Sequence, residues 1–211
     1  MSVWGVCIKL SEEKVSTRES ILKIAAHMFW KNGYSSTSMR DIAAKVGIPA
    51  STLYYYFVNK QDILENILSK PEGDLGELAD IASSSAPIDD RLRAILRWHF
   101  LRVIGQPDVM GIESMGIIQT SGLSPEFWEK RLRFKKKSME FGIGVITEGV
   151  QAGLYECESP HVAMWCYYGM LSMVPTWFNP NGRLSAEQMA DFIVDMFMRG
   201  LRPPQTQSAN S

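Results

Sequence analysis

The chain has 211 residues, 45% of them apolar and 21% charged, with a formal net charge of −1. That length holds one or two domains with ample core, and the near-neutral balance excludes a protein that binds nucleic acid through bulk charge. Cys7, Cys157 and Cys166 have neither metal spacing nor the look of a disulfide framework, which fits a reduced, cytoplasmic setting. The charge is unevenly spread. Residues 1–70 hold nine Lys/Arg and six Asp/Glu, whereas the remainder holds thirteen and seventeen. A mildly basic N-terminal part thus precedes an acidic body.

In chain order, residues 1–15 read as a flexible arm, and Lys9, Glu12, Glu13 and Lys14 interrupt any signal-peptide pattern. Ser16-Thr17-Arg18-Glu19 is a capping box that opens a first helix, with Ile21, Ala25 and Phe29 as its inner stripe and Asn32-Gly33 at its end. Thr37 or Ser38 caps a second helix, and Asp41 stands at the capping-box spacing. Met39, Ile42, Ala43 and Val46 recur with helical period, Gly47 suits a left-handed C-cap, and Ile48 before Pro49 turns the chain. A third helix runs from about Pro49 to Tyr56, with Leu53 and Phe57 inward. Ala50, Ser51, Thr52, Tyr54, Tyr55 and Tyr56 are left facing mostly outward. Three successive tyrosines on one short helix cannot all be buried, and their hydroxyls and ring edges suit phosphates, bases and thymine methyls. Asn59 caps a fourth helix, with Asp62 at the box position. Lys60, at that N-terminus, is placed to hold a phosphate together with the free backbone N–H groups. The candidate DNA contacts are Thr37, Ser38, Arg40, Ala50, Ser51, Thr52, Tyr54, Tyr55, Tyr56 and Lys60.

Pro71, Gly73 and Gly76 then break the helical pattern, and Ser83 to Pro87 reads as a short loop at the border of two parts. Leu92, Ile95, Leu96, His99 and Val103 line a helix from about Ile88 to Ile104, and a weaker helix follows Pro107. Ser124-Pro125 opens a long helix to about Ala152, and Ser159-Pro160 opens another to about Trp177. Asn179 to Gly182 is a turn, Ser185 to Gln188 is a third capping box, and Pro203-Pro204 stops the last helix. No strand-like alternation appears, so the fold class is all-α. The most apolar stretch, Val162 to Phe178, is shorter than the ~20 residues a membrane span needs. Its helix is apolar all round, which calls for burial on two sides, one against its own domain and the other against a monomeric bundle or a partner subunit.

The region from about Arg18 to Lys70, through ILKIAAHMFWKNGYSSTSMRDIAAKVGI, STLYYYF and NKQDIL, resembles the DNA-binding domain of the tetracycline-repressor (TetR) family. The resemblance implies an all-helical homodimer whose first three helices bind double-stranded operator DNA. It also implies that a small ligand in the C-terminal domain releases the operator. The domains would then be a helix-turn-helix head over 16–70, an effector-binding and dimerisation body over 71–202, and a disordered tail over 203–211. The dimer interface implied for the last two helices takes Tyr168, Leu171, Phe192, Ile193, Met196 and Phe197. One departure is Pro49, where the family often has a capping serine, so a cap hydrogen bond is lost. RLRAILRWHF and WFNPNGRLSAEQMADFIVDMFMRGL resemble C-terminal domains of members that control lipid, fatty-acid or sterol breakdown.

His99, Met110, Met115, Trp128, Phe134, Phe141 and Trp165 are the candidate lining of a large apolar effector pocket. Taken singly each reads more readily as core, and His99 as a hydrogen-bonded core histidine; it is as a set that they suit a pocket. The charge run from Lys130 to Lys137 is either a solvated helix face or a patch for the phosphates of a coenzyme A thioester. The reading is a ligand-responsive regulator released from a palindromic operator by an apolar effector such as an acyl-CoA. The alternatives are a repressor responsive to drugs or xenobiotics, a regulator controlled by a partner protein, and an all-helical enzyme. His27, His99 and His161 are scattered, with no nucleophile elbow, phosphate loop or metal spacing, so neither catalysis nor a metal or cofactor is expected.

Overall fold

The computed structural model describes residues 16–69, 73–114 and 123–203. The expected arm over 1–15, Pro71, Met115 and the tail beyond 203 lie outside them, as do the side chains of Met110 and Trp128. Among the described residues there are ten helices and no strand. They are α1 (Thr17–Asn32), α2 (Met39–Val46), α3 (Ala50–Tyr56), α4 (Lys60–Leu68), α5 (Gly73–Ser83), α6 (Ile88–Gly105), α7 (Pro107–Ser114), α8 (Pro125–Gln151), α9 (Pro160–Trp177) and α10 (Ala186–Leu201). By contacts the chain divides between Ile67 and Leu68 into two compact units. No helix among the described residues is long and apolar enough to cross a membrane.

Five of the helices start where a side chain satisfies the free N–H groups of the first turn. Ser16 and Glu19, Ser38 and Asp41, and Ser185 and Gln188 form reciprocal capping boxes, and Ser124 and Ser159 cap helices that carry proline in the first turn. Gly47 ends α2 at φ 81°, ψ 31°, a left-handed conformation that glycine adopts without penalty. In the first unit Ile21, Ala25, Phe29, Ile42, Leu53, Phe57, Ile63 and Leu64 make a buried core.

In the second unit α6 is central and packs against α5, α8, α9 and α10. Leu92, Ile95, Leu96, Phe100, Ile146, Met164, Tyr167, Ala190 and Val194 form its interior. Tyr167 crosses that interior to donate a 2.7 Å hydrogen bond to the Leu96 carbonyl. Two ion pairs, Arg93–Asp195 and Arg97–Asp191, zip α6 to α10 at the surface. Gly76 departs from the sequence expectation, because it lies inside α5 and does not break it. A helical glycine costs ~1 kcal/mol. Burial of Leu78, with Leu75, Ile81 and Ala82 packed on the same core, offsets that cost.

Candidate functional site

In α3 the turn from Gly47 to Pro49 sets which face looks inward. Leu53 and Phe57, four apart, are 0% and 1% exposed and lock the helix to the first unit. The opposite face is bare. Tyr54 and Tyr55 are 54% and 83% exposed, Ala50, Ser51 and Tyr56 are exposed, and Thr52 is half-buried. The rings of Tyr55 and Tyr56 meet edge to face, with centroids 5.2 Å apart. Pro49 supplies no side-chain cap, which leaves N–H groups of the first turn of α3 without a serine or threonine partner. Arg40 is exposed on α2, and so is Ser38, although its hydroxyl is engaged with Asp41. Sequence reasoning passed over Val58, 76% exposed beside the tyrosines. A lone valine carries no pattern that would mark it.

Two candidates sit differently from expectation. Thr37 is 2% exposed, and its hydroxyl donates 2.9 Å to the Gly33 carbonyl, so its side chain closes a turn and does not face a ligand. Ser38, not Thr37, is the cap of α2. The Lys60 ammonium lies 2.7 Å from the Tyr34 carbonyl and 2.8 Å from the Thr37 carbonyl, with the Tyr34 ring 4.3 Å away. Two of its three protons are therefore held inside the unit. Burial pushes its pKa below the usual lysine value.

In the second unit His99 is buried beside Tyr168, whose hydroxyl is 3.1 Å from either ring nitrogen and 3.2 Å from the Ser138 hydroxyl. Burial first, and then the Arg102 guanidinium, lower the His99 pKa from 6.5 to about 3, against a hydrogen bond with the Ser138 backbone that raises it. The imidazole is neutral at physiological pH. Around it, cations lie over aromatic rings: Arg102 over Trp98 at 5.0 Å, Arg131 over Phe134 at 5.9 Å, and Lys135 over Trp165 at 5.2 Å. Phe134 and Phe141 are half-buried. Below pH 6.5 the unfolded chain takes up a proton at His99 that the folded chain refuses, so stability is present above that pH and is lost toward about 3. Between pH 7 and pH 5 this one group should remove about 2 kcal/mol. His99→Gln keeps a polar partner for Tyr168 but cannot titrate. Urea midpoints measured at both pH values should show that share of the acid loss gone from the variant.

Five further candidates sit differently from expectation. Trp165, expected to line the pocket, is 52% exposed on the outer side of α9. Leu171, expected at a subunit interface, is 3% exposed within its own core, and Tyr168 turns inward to His99. Of the α10 candidates, Phe192 and Met196 are 60% and 49% exposed, whereas Ile193 and Phe197 pack on the core, Phe197 against the Tyr167 ring at 5.0 Å. The bare stripe of α9 is Val162, Trp165, Met173 and Trp177, with helical spacing that leaves a continuous apolar face. Because α9 is apolar all round, periodicity alone could not say which side stays uncovered. Among the described residues no group of His, Cys, Asp and Glu is placed to hold a metal ion.

Comparison with known proteins agrees with this architecture. Residues 21–67 match the family of bacterial regulatory proteins described as the tetR family, and residues 85–201 match the tetracyclin repressor-like C-terminal domain. The HTH-type transcriptional repressor KstR2 of Mycolicibacterium smegmatis is 25% identical over 205 residues, covering 92% of this chain and 94% of that protein. The fatty acid metabolism regulator protein of Bacillus subtilis is 22% identical over 184 residues, covering 86% and 93%. The crystal structure of AibR in complex with isovaleryl coenzyme A and operator DNA aligns with a TM-score of 0.69 at 29% identity, covering 86% of this chain and 97% of that one. With a capped helix-turn-helix head and a matching helical body, the chain belongs to the TetR family of transcriptional regulators.

Proposed function

We propose that the protein is a homodimeric repressor that holds an operator through α3 and releases it when a coenzyme A thioester with an apolar acyl group enters the second unit. The observation that carries the DNA part is the asymmetry of α3. Its inner side is locked by Leu53 and Phe57, and its outer side offers Ser51, Tyr54 and Tyr55 with nothing among the described residues to cover them. In helix-turn-helix proteins that face enters the major groove. The effector class is supported by three things. The interior holds rings and a neutral polar cluster of His99, Tyr168 and Ser138. The cations Arg102, Arg131 and Lys135 stand over aromatic faces around it, an arrangement that suits phosphates at one end and an apolar chain at the other. The relatives include a fatty acid metabolism regulator and a protein crystallised with isovaleryl coenzyme A. Cytoplasmic residence follows from the same reading.

The test is operator release, followed by fluorescence anisotropy on a duplex that the wild-type protein selects from a random pool. Acyl-CoAs of short, medium and long chain should lower DNA affinity, and free coenzyme A should not. Neutralising Lys135, Lys136 and Lys137 should weaken the effective thioester far more than the matching free acid. By linkage the thioester must bind the DNA-bound form more weakly by the same factor that it lowers DNA affinity. Release by a small polar compound, with every acyl-CoA inert, would overturn the effector class and leave the DNA reading standing.

A further inference from the structure

Lys60 occupies the N-terminus of α4, a place where an ammonium facing solvent would serve as a phosphate contact. Its surroundings describe another role. The loop from Gly33 to Ser38 is closed on itself: the Thr37 N–H donates to the Tyr34 carbonyl at 3.2 Å, and the Thr37 hydroxyl donates to the Gly33 carbonyl. Tyr34 anchors the loop through an edge-to-face contact with Phe29 at 5.0 Å. Lys60 then binds the two carbonyls of this loop, those of Tyr34 and Thr37, across sequence separations of 26 and 23 residues. The second of these belongs to the peptide directly before Ser38, the residue that caps α2. The first residue of α4 is thereby tied to the start of α2, and α2 and α3 lie within the ring so closed. A swing outward to a phosphate would break two charge-assisted hydrogen bonds and a cation–π contact at once.

We propose that Lys60 is a positioning residue: it fixes the start of α2, and through it the pose of the helix-turn-helix, and makes no contact with a DNA phosphate. The proposal rests on the operator-binding reading and assigns the residue that orients the reading face.

The test has two arms, one of which uses no DNA. Lys60→Met keeps most of the side-chain volume over Tyr34 and removes the donors and the charge. In the free protein, amide exchange at Asp41 and Ile42, whose N–H groups bond Ser38, should quicken by about tenfold or more while the core amides of α1 and α4 stay as in wild type. On DNA, affinity for the selected duplex should fall by about tenfold or more, affinity for random duplex should change by less than about threefold, and the salt slope should stay within about 0.3 of wild type. Lys60→Arg, whose guanidinium can still donate to both carbonyls, should recover most of the operator affinity. A slope smaller by about 0.9 with equal losses on both duplexes, and exchange unchanged, would make Lys60 a phosphate contact and overturn the proposal. Uniformly faster exchange through α1 and α4 would overturn it as well, since Lys60 would then only stabilise the fold. If the wild-type protein does not distinguish any selected duplex from random DNA, the operator reading fails, and the exchange arm still decides the role of Lys60.

Discussion

Phe192→Glu combined with Met196→Glu is expected to convert a two-fold dimer into a folded monomer and to lower operator affinity by about 10²–10⁴-fold. Both side chains stand on the outer face of α10, 60% and 49% exposed in the single chain. A carboxylate there costs the isolated fold little, on the order of 0.5 kcal/mol. At a subunit interface the same carboxylates would be buried without a partner, a far larger cost. The uncovered face of α9, with Val162, Trp165, Met173 and Trp177, gives the second helix of a pair, and a two-fold axis would bring two such pairs together as a four-helix interface. A helix-turn-helix monomer contacts one half-site only, so affinity for the full operator falls with dimerisation. Phe197→Glu would be the poorer probe, because Phe197 packs on Tyr167 within the chain and its replacement damages the core directly. Light scattering at micromolar concentration should give twice the chain mass for wild type and one chain mass for the double variant, with unchanged far-ultraviolet circular dichroism. A wild-type monomer under those conditions would refute the interface, and so would a double variant that remains dimeric.

The second large effect is expected inside the body, at Gly149. A Cβ there would meet Tyr155 Cδ2 at 2.2 Å and Cε2 at 2.3 Å. Tyr155 has nowhere to retreat. It is 4% exposed, its hydroxyl donates 2.6 Å to Asp89, and the other oxygen of Asp89 accepts from Arg202 at 2.7 Å. The Leu154 and Tyr155 N–H groups bond the Gly149 carbonyl, which pins the turn that carries the ring. Gly149→Ala gains ~1 kcal/mol of helix propensity but should lose more through displaced packing and a broken hydrogen bond, for a net destabilisation of about 2–3 kcal/mol. For a chain of this size that corresponds to a fall in Tm of roughly 5–10 °C. Gly142→Ala is the control. Its Cβ would meet the Cε and Sδ of Met164, at 2.7 and 2.8 Å, the far end of a flexible side chain that can turn aside. That variant should stay within about 1 kcal/mol of wild type. Denaturant unfolding of the three proteins, read with a common m-value, checks the ordering, and equal stabilities for the two variants would refute the argument from Tyr155.

The starts of the capped helices, the end of α2 and the exposed face of α3 were legible in the sequence because each depends on residues within one or two turns of each other. Ser38 finds Asp41 three residues on, Ser185 finds Gln188, and Gly47 ends α2 whatever lies elsewhere in the chain. The inward pair Leu53 and Phe57 likewise forces the tyrosines of α3 outward, because a helix has only one side to bury. The remaining assignments depend on partners far along the chain. Thr37 and Ser38 are equally good caps by composition, and only the fold of the loop closes the Thr37 hydroxyl onto Gly33. Lys60 belongs by position to the surface and by contact to Tyr34 and Thr37. In α9 every face is apolar, so no period separates Leu171, which the core takes, from Trp165, which it leaves bare. Tyr168 is drawn inward by His99, 69 residues away. Sequence by itself determined where the capped helices begin and which family motif they build, since capping and amphipathic period are local. Tertiary structure alone decided which side of each apolar helix is covered and which polar groups are occupied, since packing and hydrogen bonding across the fold set both.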